Sequence, residues 1–115
     1  LPLGIAVLDP GGHLLAFARE DGTSFLRPAI AQAKAWGALG MGMGSRSLEN
    51  RPYRFMMTLN AASGGKTLNA PGGVLIRDQD GKILGAVGVT GDVSDRDEAC
   101  AVAGIQAVGL LADTG

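Results

Sequence analysis

Ala70-Pro71-Gly72-Gly73-Val74-Leu75-Ile76-Arg77-Asp78 is followed almost at once by Gly81-Lys82-Ile83-Leu84-Gly85-Ala86-Val87-Gly88-Val89-Thr90-Gly91. The pair reads as two strands around a tight turn at Gln79-Asp80-Gly81-Lys82, the second strand built almost wholly from small and β-branched residues. Side chains alternate between the faces of a strand, so Ala86, Gly88 and Thr90 share one face while Gly85, Val87, Val89 and Gly91 share the other. A face made of Ala, Gly and Thr lets another backbone, or a flat ligand, approach the sheet closely. Tight helix-on-sheet packing is the plainer use of such a face, and ligand binding the more specific one.

Working outward, Leu3 to Leu8 is a short apolar run, Pro10-Gly11-Gly12 turns the chain, and His13 to Arg19 returns as a second strand. Asp21-Gly22-Thr23-Ser24 breaks that hairpin. A helix is expected from about Pro28, a residue suited to a first helical position, to about Gly40, with Ile30, Ala33, Lys34, Gly37 and Ala38 along one side and Trp36 turned elsewhere. Pro52 to Ala62 reads as another helix stopped by Ser63-Gly64-Gly65, and Thr67-Leu68-Asn69 as a brief strand. Ser94 suits an N-cap, with Asp95, Asp97 and Glu98 in a first turn where the helix dipole favours negative charge. The last helix is expected over about Asp95 to Ala112, with Ala99, Val102, Ala103, Gln106 and Leu110 at helical spacing. The sum is an α/β (α+β) domain of about five mainly antiparallel strands with helices packed on the sheet.

At 115 residues the chain is one domain, residues 1–115, long enough to bury roughly two thirds of its surface on folding. Lys and Arg total 10 against 11 for Asp and Glu, which gives no electrostatic reason to expect nucleic acid. No apolar run approaches the ~18 residues of a membrane span, and no leader pattern is visible, so a cytoplasmic protein without a membrane partner is expected. Cys100 is the single cysteine, which excludes an internal disulfide.

Several chemistries fail on spacing. Ser63-Gly64-Gly65-Lys66-Thr67 resembles a phosphate loop, but its leading glycine is replaced by Asn60 and a helix precedes it. Gly40-Met41-Gly42-Met43-Gly44 lacks the strand of a dinucleotide fingerprint. Asp92, Asp95, Asp97 and Glu98, with Asp9 as a distant fifth, form a candidate cation set, although capping and dipole complementarity explain them as well. His13 and Cys100 are too few for zinc, and Cys100, on an Ala-rich helix, reads as a small core residue. No nucleophile–base constellation stands out, so no catalytic residue is assigned.

His13 remains. It begins the second strand just after a Gly-Gly turn, where an imidazole can point into a pocket at the sheet edge or simply into solvent. One histidine suffices to ligate haem iron axially, because the porphyrin supplies four nitrogens. Phe17, Phe25, Met41, Met43 and Met56 would then line a slot for the ring, and Arg19, Arg27, Arg46 and Arg51 would pair with the propionates.

Four blocks carry a resemblance: Ala6 to Leu14, Arg27 to Ala31 with Lys34 to Gly42, Ala70 to Gly91, and Ser94 to Ile105. Together they resemble the GlcG/HbpS family, nearly end to end and in the family's order. The resemblance implies a profilin-like sheet, a haem- or tetrapyrrole-binding protein that stores, senses or passes on its ligand, and assembly into symmetric homo-oligomers. Family members usually begin with a helix before the first strand, whereas this sequence opens directly on that strand at Leu3. His13 matches a histidine often found after the family's Gly-Gly turn, and the resemblance implies it as the iron ligand. Two other readings stay open. One is an enzyme or accessory factor for a small organic acid or diol, its carboxylate held by Arg27, Lys34 and the Gly72-Gly73 turn. The other is a purely structural assembly module. The Ala- and Gly-rich helices carry small residues all round, so a two-fold interface is expected on the Pro28–Gly40 helix or the last helix.

Overall fold

A computed structural model describes residues 1–115 as one five-stranded, wholly antiparallel sheet. The strands are β1 (Gly4–Leu8), β2 (Leu14–Arg19), β3 (Gly73–Arg77), β4 (Ile83–Thr90) and β5 (Leu111–Asp113). They lie in the order β2-β1-β4-β3-β5. Helix α1 (Arg27–Met41) packs on one face, α2 (Tyr53–Ala62) lies alongside α1, and α3 (Ser94–Ala107) packs on the other face. A 3-10 turn, Ser45–Leu48, links α1 to α2.

The small-residue face of β4 is where α1 sits. Ala35 and Ala38 of α1 meet Leu8, Leu75 and Ala86 in one core cluster. A Cβ added to Gly88 would fall on the carbonyl of Ala31, and one on Gly73 would fall on the carbonyl of Lys34. The helix backbone therefore rests directly on strand backbone at two points, which only glycine permits. The side of α1 that reaches the sheet is Ala31, Lys34, Ala35 and Ala38, so the expected stripe is rotated at Ile30 and Ala33. Branched residues go to the other face, where Val74 and Val89 pack with Ala101 and Ile105 of α3.

Three elements depart from expectation. Residues Thr67 to Asn69 form no strand; Thr67 is buried, and its carbonyl accepts a hydrogen bond from Asn60 Nδ2 at 2.9 Å. The last helix ends at Ala107, five residues early, because Gly109 takes φ +78° and the Leu110 amide turns back to the Ile105 carbonyl. The released residues pair with β3, Leu75 opposite Asp113, and form the fifth strand. Ser94 does not cap α3. The cap position is Val93, and the buried face is Asp97, Ala101 and Ile105 in place of the expected Ala99, Val102 and Ala103 stripe.

The glycine contacts generate a paired prediction. Gly88→Val should cost about 1–3 kcal/mol or more by overpacking. Gly104→Ala, mid-helix with no atom within 4 Å of the new methyl, should gain about 0.5–1 kcal/mol. Urea midpoints measure both, and a Gly88→Val protein as stable as its parent would mean that α1 does not lie on that strand.

Candidate functional site

The turn from β1 to β2 is built around one carboxylate. Asp9 Oδ1 accepts the amides of Gly11 and His13, both at 2.9 Å, while the Asp9 amide donates to the His13 carbonyl at 2.9 Å. These bonds curl five residues into a closed loop, with Gly12 at φ +84°. The His13 ring leans back on the same carboxylate, its Nδ1 lying 3.2 Å from Oδ1 and 3.1 Å from Oδ2. An ionised carboxylate only accepts, so Nδ1 is the donor, and in the neutral ring the lone pair lies on Nε2. This is how a carboxylate orients a metal-ligating imidazole. The side chain is 81% exposed, so Nε2 is open to an approaching ligand. Hydrogen bonds from the turn, that of the His13 amide first, hold the Asp9 carboxyl below its ordinary 3.8.

Beside the turn lies a hollow of about 380 Å³ lined by Leu8, Gly12, Ala29, Gln32, Ala33, Trp36, Gly65 and Lys66. A Cβ on Gly12 would stand 2.9 Å from Cδ1 and Nε1 of Trp36, so the turn packs closely against that edge of the indole. Lys66 Nζ sits over the same indole, 5.6 Å from the ring centroid. The hollow thus has a small-residue floor, an aromatic wall and one cation at its rim.

A second polar centre lies at the far end of the sheet. Lys34, 3% exposed, donates to Asp97 Oδ2 at 3.1 Å and to the Val89 carbonyl at 3.0 Å, and Asp97 is itself 1% exposed. Burial pulls the Lys34 ammonium below its ordinary 10.5, and Asp97 opposes that shift. The side chain passes Gly72, where a Cβ would stand 2.9 Å from Nζ, and so joins α1 on one face to the start of α3 on the other. Arg27 Nη1 donates to Thr90 Oγ1 at 3.0 Å close by.

The expected site residues therefore fall into two groups. Arg27, Lys34, Gly72 and Gly73 do come together, but the carboxylate Lys34 meets there is the chain's own Asp97. Arg19 lies six residues along β2 from His13, about 20 Å in an extended strand, and is not brought to the histidine. Phe25 is 83% exposed and Met56 is buried in α2, so the expected slot of aromatic and methionine side chains is not assembled. The acidic set is taken up by cations: Asp97 by Lys34, Asp95 and Glu98 by Arg46, and Asp92 by Arg96. No cluster able to hold a bare metal ion is present. The sequence does not bring Trp36 and Lys66 together: the ring belongs to a helix, and the lysine, weighed only as part of a phosphate loop, lies thirty residues on. The spacing Asp9-Pro10-Gly11-Gly12-His13 was the available signal for the carboxylate.

These features define a one-sheet α+β domain with an exposed, carboxylate-oriented histidine at one end of the sheet. Residues 1–106 match the family described as haem degrading protein HbpS-like, and the chain belongs to that family. Among solved structures, the PduOC:heme complex superposes with a TM-score of 0.86 at 22% identity, over 95% of this chain and 80% of that one. The Klebsiella pneumoniae protein ORFY superposes at 0.82 and 22% identity, over 92% and 74%. HbpS superposes at 0.77 and 27% identity, over 94% and 74%. Among curated proteins none matches in sequence. No helix is long and apolar enough to cross a membrane.

Two predictions follow from the geometry. Because the Asp9 pKa is depressed in the folded turn, its contribution is present above about pH 3.8 and is lost as pH falls through the lower folded value. The His13 and Gly11 amide resonances should therefore titrate together with a midpoint below 3.8, and a midpoint at or above it contradicts the turn. Lys34→Met strands a buried carboxylate and should cost about 3–5 kcal/mol, most of it recovered in the Lys34→Met, Asp97→Leu double variant. Equal losses in the single and double variants, read by urea unfolding, would show that the pair is not coupled.

Proposed function

We propose that this protein is a small, profilin-like haem-binding protein that stores, senses or passes on its ligand without transforming it. In this reading it acts in the cytoplasm as a homo-oligomer. The observation that carries the reading is the His13 ring, with Nδ1 held by Asp9 and Nε2 free. Membership of the HbpS-like family and the likeness to a haem complex of PduOC support haem as the ligand.

His13 would supply the axial nitrogen through Nε2, and Asp9 would hold the tautomer with the proton on Nδ1 and raise the basicity of Nε2. Bound there, haem supplies redox-active iron and a large flat apolar surface. Trp36 and the small-residue floor of the neighbouring hollow offer apolar surface for a ring edge, and Lys66 offers a cation for a propionate. Arg19 and Arg27, expected from the sequence to serve the propionates, have no part in this arrangement. The reading of a small-acid site at Lys34 is weakened, because that ammonium already faces Asp97 in the interior.

Haem titration tests the proposal. The parent protein should develop a Soret band, and His13→Ala should bind at least tenfold more weakly, about 1.4 kcal/mol, with a shifted maximum. An identical spectrum and titration in His13→Ala overturns the assignment of the ligand, and no Soret band in the parent overturns haem. Adding ascorbate in air separates storage from degradation: the band persists in the first case and bleaches in the second.

A further inference from the structure

Strand β2 is an edge of the sheet, and all six of its residues are exposed, Leu15 at 67% and Phe17 at 38%. The opposite edge is blunted. β5 has three residues, and an Arg77–Asp113 ion pair at 3.0 Å ties it to β3. β2 has no proline, no lysine and a single charge at its end, Arg19, and its one irregularity, a bulge at Leu15 where the register with β1 shifts, leaves Ala16 to Arg19 in regular pairing.

The hydrogen-bond phase of the hairpin says which groups are free. The Glu20 amide donates to the Leu3 carbonyl at 3.0 Å, so alternation spends the backbone groups of Ala18 and Ala16 on Ile5 and Val7 of β1. The N–H and C=O groups of Phe17 and Arg19 point outward.

We propose that two copies of this chain join through β2, antiparallel about a two-fold axis at Phe17, to form one continuous sheet. The proposal rests on the homo-oligomer reading above and names its surface, in place of the helical faces expected from the sequence. In this register Phe17 pairs with the partner's Phe17 through both outward groups, Ala16 lies opposite the partner's Ala18, and Arg19 lies opposite the partner's Leu15. No like charges meet. Phe17 and Arg19 share a face by alternation, so each Arg19 also lies diagonal to the partner's Phe17, within reach of a cation–π contact. Its aliphatic stem covers the partner's Leu15. The strand matches itself in size and hydrogen bonding and sets no like charges opposite each other, which is why the occupant is a second copy.

Light scattering at micromolar concentration should give the parent a mass of twice 11.6 kDa, or a higher even multiple. Phe17→Lys, which sets two ammonium groups against each other at the axis, should halve it. A second variant guards against misfolding. In a Cys100→Ser background, Phe17→Cys should cross-link under mild oxidation, because directly paired Cα atoms lie about 5.5 Å apart, within the disulfide range of about 4.4–6.8 Å. Leu15→Cys should not cross-link. A monomeric parent overturns both self-association and this surface. An oligomeric parent in which Phe17→Lys keeps its mass and Phe17→Cys stays reduced overturns the surface alone.

Discussion

The contact on which the structure depends is backbone against backbone: the α1 carbonyls of Ala31 and Lys34 rest on Gly88 and Gly73 of the sheet. No side chain separates the layers there, so the helix sits low, and alanines at 31, 35 and 38 suffice to fill the gap. A helix held this close delivers its other residues to fixed places. Lys34 is carried to the end of the sheet, where it can pass Gly72 and reach Asp97. Trp36 is carried to the opposite end, where its indole lies against the Gly12 backbone. The clasp between the faces and the wall of the candidate site are thus two consequences of one packing decision.

The buried Lys34–Asp97 pair is weak evidence for net stability, since desolvation of two charges offsets most of their attraction. Its effect is on specificity. Only one rotation of α1 and one start of α3 place both side chains together, and Asp97 Oδ1 also accepts the Asp92 amide at 3.0 Å, fixing the loop that enters α3.

The histidine turn has an internal control. Asp78 to Lys82, between β3 and β4, repeats its wiring: Asp78 Oδ1 accepts the amides of Asp80 and Lys82 at 2.9 Å, and the Asp78 amide donates to the Lys82 carbonyl at 3.0 Å. An aspartate at the first position is therefore a structural device for closing a five-residue hairpin loop. What differs is the fifth residue. Lysine there takes no side-chain bond from the aspartate, whereas histidine uses both carboxylate oxygens to fix its ring. The oriented imidazole is an addition to the turn.

Much of this was legible because it is local. The two hairpins, the Pro28 start of α1, the α2 helix and the small-residue face of β4 follow from alternation and from Gly and Pro positions. The fifth strand was hidden because Leu111–Asp113 gains its conformation only by pairing with β3, a tertiary event that helical periodicity outvoted at Gly109. Lys34 with Asp97, and Trp36 with Lys66, join residues far apart in sequence, and nothing in either neighbourhood marks them. His13 was legible as a candidate but its carboxylate was misplaced, because Asp9 was grouped with acidic residues elsewhere. The central claim is that His13 presents Nε2 to haem iron with Asp9 on Nδ1. The most direct measurement is nitrogen NMR of the haem-loaded protein with labelled histidine, the imidazole being unique in the chain. The account predicts that the Nε2 resonance is displaced or broadened away by the iron while Nδ1 keeps the signature of a protonated, hydrogen-bonded nitrogen. Both ring resonances unmoved on haem loading would contradict it.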